Sequence, residues 1–310
     1  MRDCLKFKVP EQKRVRVIID TDCKNEADDP YAIAHFLMTP MCEVKGLVAA
    51  HYETKAKEFG VGKTMECSYE EIHEVLKHMG LSGKYPVYRG AVYPMESEDA
   101  PRDSEGARFI IEEALKEDDR PLYVVAIGSL TNVASAMLLM PAIQERITII
   151  WTGGMSYPKG GIDFNIKQDR NAANVVFTSH APFWQIPADA CRALNVSLME
   201  LQDRVEPYGT LGAYLFRELT ELNERKGIRP DWPHGETWVL GDNATVFTLL
   251  DSLNSISYTM QPCCRIGENY EYIPQETGRK VRVYHSVDAR LTMEDFYAKL
   301  KQYFPHPDRN

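Results

Sequence analysis

The chain has 310 residues, 44% of them apolar, with 36 Lys and Arg against 45 Asp and Glu and a formal net charge of −9 at pH 7. That length allows one large domain or two small ones with a sizeable core; the acidic balance argues against nucleic acid or an anionic membrane as partner, and no apolar run reaches the eighteen or so residues of a bilayer span. Seven cysteines without CxxC or regular spacing, and a residue 1–14 segment lacking the apolar centre of a signal peptide, fit reduced thiols in a cytoplasmic protein rather than a disulfide frame or zinc site.

The first element is the apolar run Val15 to Ile19, which ends in Asp20-Thr21-Asp22. A polar loop follows, and Asp28-Asp29-Pro30 opens an apolar run with helical spacing to Met38, with Asp29 suited to the N-cap and Pro30 to the first helical position. Glu43 to Ala50 reads as a second strand ending near His51-Tyr52. Ser68 to Met79 reads as a helix with a Ser68/Glu71 capping box and a Gly80 stop. Tyr85 to Tyr88 is a short strand, 99–104 a loop, and Gly106 to Lys116 a helix. Leu122 to Ile127 is near-continuously apolar, as buried parallel strands are. Gly128-Ser129 then turns the chain into a helix from Leu130 to Met140. Ile147 to Thr152 is a strand closed by Gly153-Gly154, Asn171 to Ser179 a helix, and Phe183 to Pro187 extended.

From about Ser197 the pattern changes. Gly209 to Lys226 is a long helix, and Asp242 to Leu253 another with Asp242 placed to cap it. Ile256 to Pro262 and Lys280 to His285 read as strands paired around a Gly278 turn. Thr292 to Tyr303 reads as a final helix from a Thr292/Asp295 start. The strand–helix alternation implies an α/β fold, a mostly parallel, Rossmann-like central sheet with helices on both faces. With no repeat or linker, one domain over 1–310 with a helix-rich carboxyl-terminal part is expected.

The acidic loop carries the chemistry. Asp20, Asp22, Asp28 and Asp29 crowd ten residues at the carboxyl end of one strand, the edge where open α/β sheets bind ligands. A capping Asp accounts for one of them. Four repel unless a cation neutralises them, and oxygen donors suit a hard ion, Ca²⁺ or Mg²⁺. Three further places gather polar residues at strand ends. Ile127-Gly128-Ser129-Leu130-Thr131-Asn132 follows the Leu122 strand. Gly160-Gly161-Ile162-Asp163-Phe164-Asn165 precedes Gln168-Asp169-Arg170. Leu240-Gly241-Asp242-Asn243-Ala244 opens a late helix. Asp163 and Asn165 are two apart, so an extended stretch puts carboxylate and amide on one face, a pairing suited to vicinal hydroxyls.

The order DTD…DD, GSLTN, GG…DFN…D..AA and a late GD, from Val15 to about Leu250, resembles the nucleoside hydrolase family of the inosine-uridine-preferring type. The resemblance implies that fold and a metal-dependent hydrolase, which cleaves the N-glycosidic bond of a ribonucleoside or related N-riboside to ribose and base. It implies that Asp22 is a calcium ligand and accepts a proton from the attacking water, and that Asp29, Asp242 and the Ile127 carbonyl are further calcium ligands. It implies that Asp28, Asp163 and Asn165 hold the ribose, with His51 standing where the family has an Asn beside the sugar. Calcium is expected in preference to magnesium, a nucleoside as the small-molecule partner, and a homodimer or homotetramer as the assembly.

The match has gaps. The loop from Asp22 to Asp28 is two residues longer than the common form, so Lys24-Asn25-Glu26 is expected to alter the rim of the site. Asp163 is one methylene shorter than the family's Glu, and the segment before it lacks an Asn. Gly241 stands where the family has a His read as the acid that protonates the departing base. His51 and His234 are candidates to replace it; Tyr52, Trp232 and Trp238 are candidates to stack on a base, or plain core residues. Two rivals follow: a non-catalytic ribose- or nucleoside-binding protein, and a magnesium phosphatase of the haloacid dehalogenase type. The latter leaves the downstream DD and DFN elements unemployed, and its usual Thr or Val two residues after the DxD is Lys24 here.

Overall fold

A computed structural model describes residues 5–251 and 256–305. Its strands are β1 (Val15–Thr21), β2 (Cys42–Ala49), β3 (Val87–Arg89), β4 (Leu122–Ala126), β5 (Ile147–Thr152), β6 (Phe183–Ile186), β7 (Asn195–Ser197), β8 (Thr237–Val239), β9 (Tyr258–Pro262), β10 (Cys264–Ile266), β11 (Tyr272–Pro274) and β12 (Lys280–Tyr284). Eight of them form one sheet in the order β3-β2-β1-β4-β5-β6-β12-β9, parallel throughout except for the edge strand β9. The order 3-2-1-4-5-6 is the doubly wound arrangement, which reverses direction between β1 and β4.

The sheet is covered on both faces because its central strands are apolar on both. Along β1, Val17 and Ile19 enter one core and Ile18 the other, each fully buried. Helices α1 (Asp29–Met38), α2 (Ala56–Phe59) and α3 (Thr64–His78) follow β1 and β2. Next come α4 (Glu105–Ala114), α5 (Thr131–Leu139), α6 (Phe164–Gln168), α7 (Arg170–Thr178), α8 (Ala188–Cys191) and α9 (Leu198–Arg204). The last are α10 (Gly209–Gly227), α11 (Ala244–Leu250) and α12 (Ala289–Tyr303). Residues of α1, α3, α10, α11 and α12 join the Val17 core, those of α4, α5 and α7 the Ile18 core.

Several local readings change. Helix α3 starts at Thr64, four residues before the expected capping box. The Ser68 hydroxyl donates to the Ala50 and Thr64 carbonyls, and Glu71 faces Lys24, so the tertiary partners outcompete the local box. Its end is as expected: Gly80 takes φ +67°, and Leu81 N–H returns to the Leu76 carbonyl. Helix α1 begins at Asp29 rather than after it, and α12 begins at Ala289 with Asp288 as its cap. Asp295 instead bonds the buried His35 ring. Asp242 lies in a 3₁₀ turn before α11 and makes no side-chain cap; Leu253, where that helix was expected to end, falls outside the described residues. The β9–β12 pairing forms, but a second hairpin, β10–β11, is inserted between them.

Candidate active site

The carboxyl ends of β1, β4 and β5 meet the segment before α11 at the reversal point of the sheet. A cavity of about 170 Å³ opens there. Its walls include Asn25, Glu26 and Asp28 from the loop after β1, Ile127 after β4, Thr152 at the end of β5, Asp163 to Asn165 at the start of α6, and Gly241-Asp242.

Asp28, Asp29 and Asp242, spanning 214 positions of the chain, each bring a carboxylate oxygen within 4.8 Å of the other two. Asp29 accepts from the Thr21 hydroxyl at 2.5 Å, the Asp28 carboxylate accepts from the Asp242 amide at 3.3 Å, and Thr152 donates to Asp242 at 3.2 Å. Asp22 sits behind them, fully buried, and neither of its carboxylate oxygens has a hydrogen-bond partner. A Cβ on Gly128 would lie 2.8 Å from the Asp22 carboxyl carbon, so the glycine of GSLTN leaves room for that carboxylate as well as making a turn.

Burial pushes the Asp22, Asp28, Asp29 and Asp242 carboxyls well above the usual range. Repulsion among them adds to this, while Lys55 pulls Asp22 down. Orphaned buried carboxylate oxygens and an all-oxygen donor set fit a hard divalent cation. The acidic cluster can therefore hold a metal ion.

The ribose candidates are arranged differently from the extended pair expected. Asp163 caps α6: Oδ1 accepts from the Gly154 and Ile166 amides at 2.8 and 3.0 Å, and Oδ2 accepts only a 3.4 Å bond from the Asn165 amide. Asn165 lies within α6, and its Nδ2 donates to the carbonyls of Ile127 and Thr152 at 3.0 and 2.9 Å. Both still line the cavity, brought there by a helix start rather than by strand alternation. The Ile127 carbonyl keeps a second lone pair.

His51 does not line the cavity. It is buried, with Nε2 at 2.9 Å from the Thr131 hydroxyl, which itself donates to Asp169 at 2.7 Å. Nδ1 has no hydrogen-bond partner. Burial lowers the ring's pKa to about 4. A neutral ring outside the cavity wall is not placed to protonate a departing base, which argues against His51 as the substitute acid. His234 stacks on Trp238, 4.2 Å between ring centres, beside Trp232 and away from the cavity wall. Trp238 and Tyr52 are core residues.

The inserted loop residues Asn25 and Glu26 do form the rim, as their extra length suggests. Sequence reasoning missed Phe164, Cys191 and Lys55. Phe164 had a signal, standing between two residues singled out as ligands. Cys191 had none; burial and the nearby Asp242 and Asp28 keep its thiol protonated. Lys55 Nζ bonds the Asn25 carbonyl at 2.6 Å and rests 4.6 Å from the centre of the Phe164 ring.

A doubly wound sheet with a cation-binding carboxylate cluster and a polar cavity at its switch point defines an α/β ligand-binding class. The chain belongs to a particular family within it: a family model described as inosine-uridine preferring nucleoside hydrolase matches residues 17–299. A putative pyrimidine-specific ribonucleoside hydrolase RihB of Shigella boydii is 33% identical over 144 residues, 45% of this chain and 55% of the relative. The chain thus spans about half the length of the curated relatives it matches. A purine-preferring ribonucleoside hydrolase from Gardnerella vaginalis has a similar fold, with a TM-score of 0.73 at 20% identity, covering 93% of this chain and 98% of that one. The type III effector protein XopQ, solved with adenosine diphosphate ribose, is also similar, with a TM-score of 0.66 at 14% identity over 94% and 96% of the two chains.

Proposed function

We propose that the protein hydrolyses the N-glycosidic bond of a ribonucleoside or related N-riboside, giving ribose and a free base, with Ca²⁺ as the preferred cation. The observation that carries this reading is the meeting of Asp28, Asp29 and Asp242 beside the buried, unpartnered carboxylate of Asp22. Asp22, Asp29, Asp242 and the Ile127 carbonyl would hold the ion. When bound, such an ion neutralises the cluster and acidifies and orients a water.

The protein's own groups do the rest. Asp22 takes a proton from the attacking water. Asp28, Asn165 and the freer oxygen of Asp163 hold the ribose hydroxyls. The cavity's carboxylates stabilise positive charge developing at the anomeric carbon. The reading extends to a cytoplasmic homodimer or homotetramer. Relatives named for pyrimidine and for purine ribonucleosides support a nucleoside substrate without selecting a base.

A base-release screen over purine and pyrimidine nucleosides, with and without chelator, tests the proposal. Chelator-sensitive release supports it. Hydrolysis of p-nitrophenyl phosphate but not p-nitrophenyl riboside would contradict it in favour of a phosphatase. Gly241 favours a second reading, a ribose-binding protein without turnover; saturable ribose binding with no base released in a long incubation would establish that instead.

A further inference from the structure

The acidic cluster is assembled from two separate pieces of chain. Asp28 and Asp29 stand at the start of α1, and Asp242 stands on the 3₁₀ turn Gly241–Asn243. A buried side-chain link joins the two pieces without using any carboxylate of the cluster. Asn243 Nδ2 lies 3.1 Å from Nδ1 of His35, a fully buried ring roughly two turns along α1 from Asp29. Among the described residues this is the one hydrogen bond that the Asn243 side chain makes; its Oδ1 has no partner.

The other side of the His35 ring is held by α12. Nε2 lies 2.8 Å from Asp295. Burial works against an ionised Asp295, but the bonds from His35 and Lys299 outweigh it and hold the carboxyl below its ordinary range. An ionised carboxylate only accepts, so Nε2 carries the proton. Burial lowers the ring's own pKa to about 4, so the ring is neutral and Nδ1 accepts from Asn243. Phe296 packs edge-on against the ring at 5.4 Å between centres. Lys299 donates to the Thr39 hydroxyl at 2.8 Å, and that hydroxyl donates to the His35 carbonyl at 2.7 Å. Ring and backbone of His35 are thus both fixed from the same helix.

Oxygen ligands sit at about 2.3–2.6 Å from Ca²⁺ and about 2.0–2.1 Å from Mg²⁺, so a few tenths of an ångström in ligand spacing separate the two ions. We propose that His35 and Asn243 are positioning residues: their bond sets the Asp242 turn against α1, and with it the size of ion that the cluster accepts. The proposal rests on the cation-site part of the reading above. Neither residue touches the ion. His35 acts through Asn243, and Asn243 through the backbone of the turn that carries Asp242. Groups that hold metal ligands in place are worth about 10–100-fold in metal affinity.

The test is calorimetric titration of Ca²⁺, and separately of Mg²⁺, into the chelator-stripped full chain, comparing the wild type with Asn243→Ala, His35→Gln and the double variant. Glutamine keeps a donor for Asp295 near the place of Nε2 but offers no acceptor to Asn243. Each single variant is expected to bind Ca²⁺ about ten-fold more weakly while Mg²⁺ affinity changes less, so the Ca²⁺-to-Mg²⁺ ratio falls. The double variant should bind Ca²⁺ no more weakly than the weaker single one, because both changes remove the same bond. Residues that served stability alone would lower the metal-free melting temperature and leave the ion ratio unmoved. That result, or losses that multiply in the double variant, overturns the proposal while leaving the cation site intact. If Asn243→Ala does not fold, the ion ratio of His35→Gln decides the matter alone. A wild-type chain that binds neither ion overturns both the proposal and the cation site.

Discussion

Asp22 and Gly128 are best considered together. The carboxylate is fully buried without a partner, and the glycine 106 positions later is what leaves it space. Asp22→Ala should abolish measurable cation binding and lower turnover by about 10³-fold, within the range for losing a positioned base. Gly128→Ala should fold, yet place a methyl where the Asp22 carboxyl stands. A loss of about 10²-fold in kcat/KM is expected from that displacement; wild-type kinetics in Gly128→Ala would show that the carboxylate has room to move. The meeting of Asp28, Asp29 and Asp242 was legible because crowded carboxylates demand an explanation and the late GD is separately visible. Cys191 and Lys55 were not, since a thiol and a lysine become site residues only through the folding together of separate segments, and Phe164 had only its place between Asp163 and Asn165 as a signal. His51 shows the opposite error: its place beside a strand end suggested the sugar, but Thr131 and Asp169 turn it into a buried, neutral brace.

The loop between β1 and α1 is anchored from outside the site. Lys24, at φ +81°, reaches Glu71 of α3 at 2.9 Å and Glu218 of α10 at 2.7 Å. Glu71 is nearly buried and also accepts from the Tyr214 hydroxyl. Lys24→Met leaves that carboxylate without its cation and frees the loop carrying Asn25 and Glu26. It should cost about 1–3 kcal/mol of stability and weaken Ca²⁺ binding, both readable by thermal melts with and without the ion. Unaltered Ca²⁺ affinity would show that the loop is held by Asp28 and Asp29 alone. Strands were the most legible elements: Ile147–Thr152 was bounded to the residue, because an apolar β-run ending at Gly153-Gly154 has only one sensible extent. The capping box at Ser68 and the extended Asp163–Asn165 pair failed for different reasons. Polar side chains that fit a local motif were drawn to partners distant in sequence, or, at Asp163, to the start of a helix too short to show periodicity.

At the scale of the whole molecule, the strand order puts β1 beside β4, so the DTD and GSLTN segments face each other across the switch point; alternation of strands and helices predicted the layers, while the order itself emerges only from the pairing. Burial of charge there has a consequence for stability. Asp20, buried at the end of β1 with Asn132 donating at 3.1 Å, is pushed by burial up to about 7 from an ordinary 3.8. The folded state therefore holds a proton that the unfolded chain releases. The stability this contributes is complete below about pH 4 and is lost as pH rises through 7, roughly 4 kcal/mol as an upper figure. In chelator, the wild type should lose stability relative to Asp20→Asn as pH rises from 4 to 8; parallel denaturation curves across that range would contradict the assignment. The central claim is that carboxylates far apart in the chain meet around one divalent ion. Calorimetric titration of Ca²⁺ into chelator-stripped protein tests it most directly. One ion per chain, lost in Asp242→Asn, is the predicted result; no binding, or a site indifferent to Asp242→Asn, would contradict it.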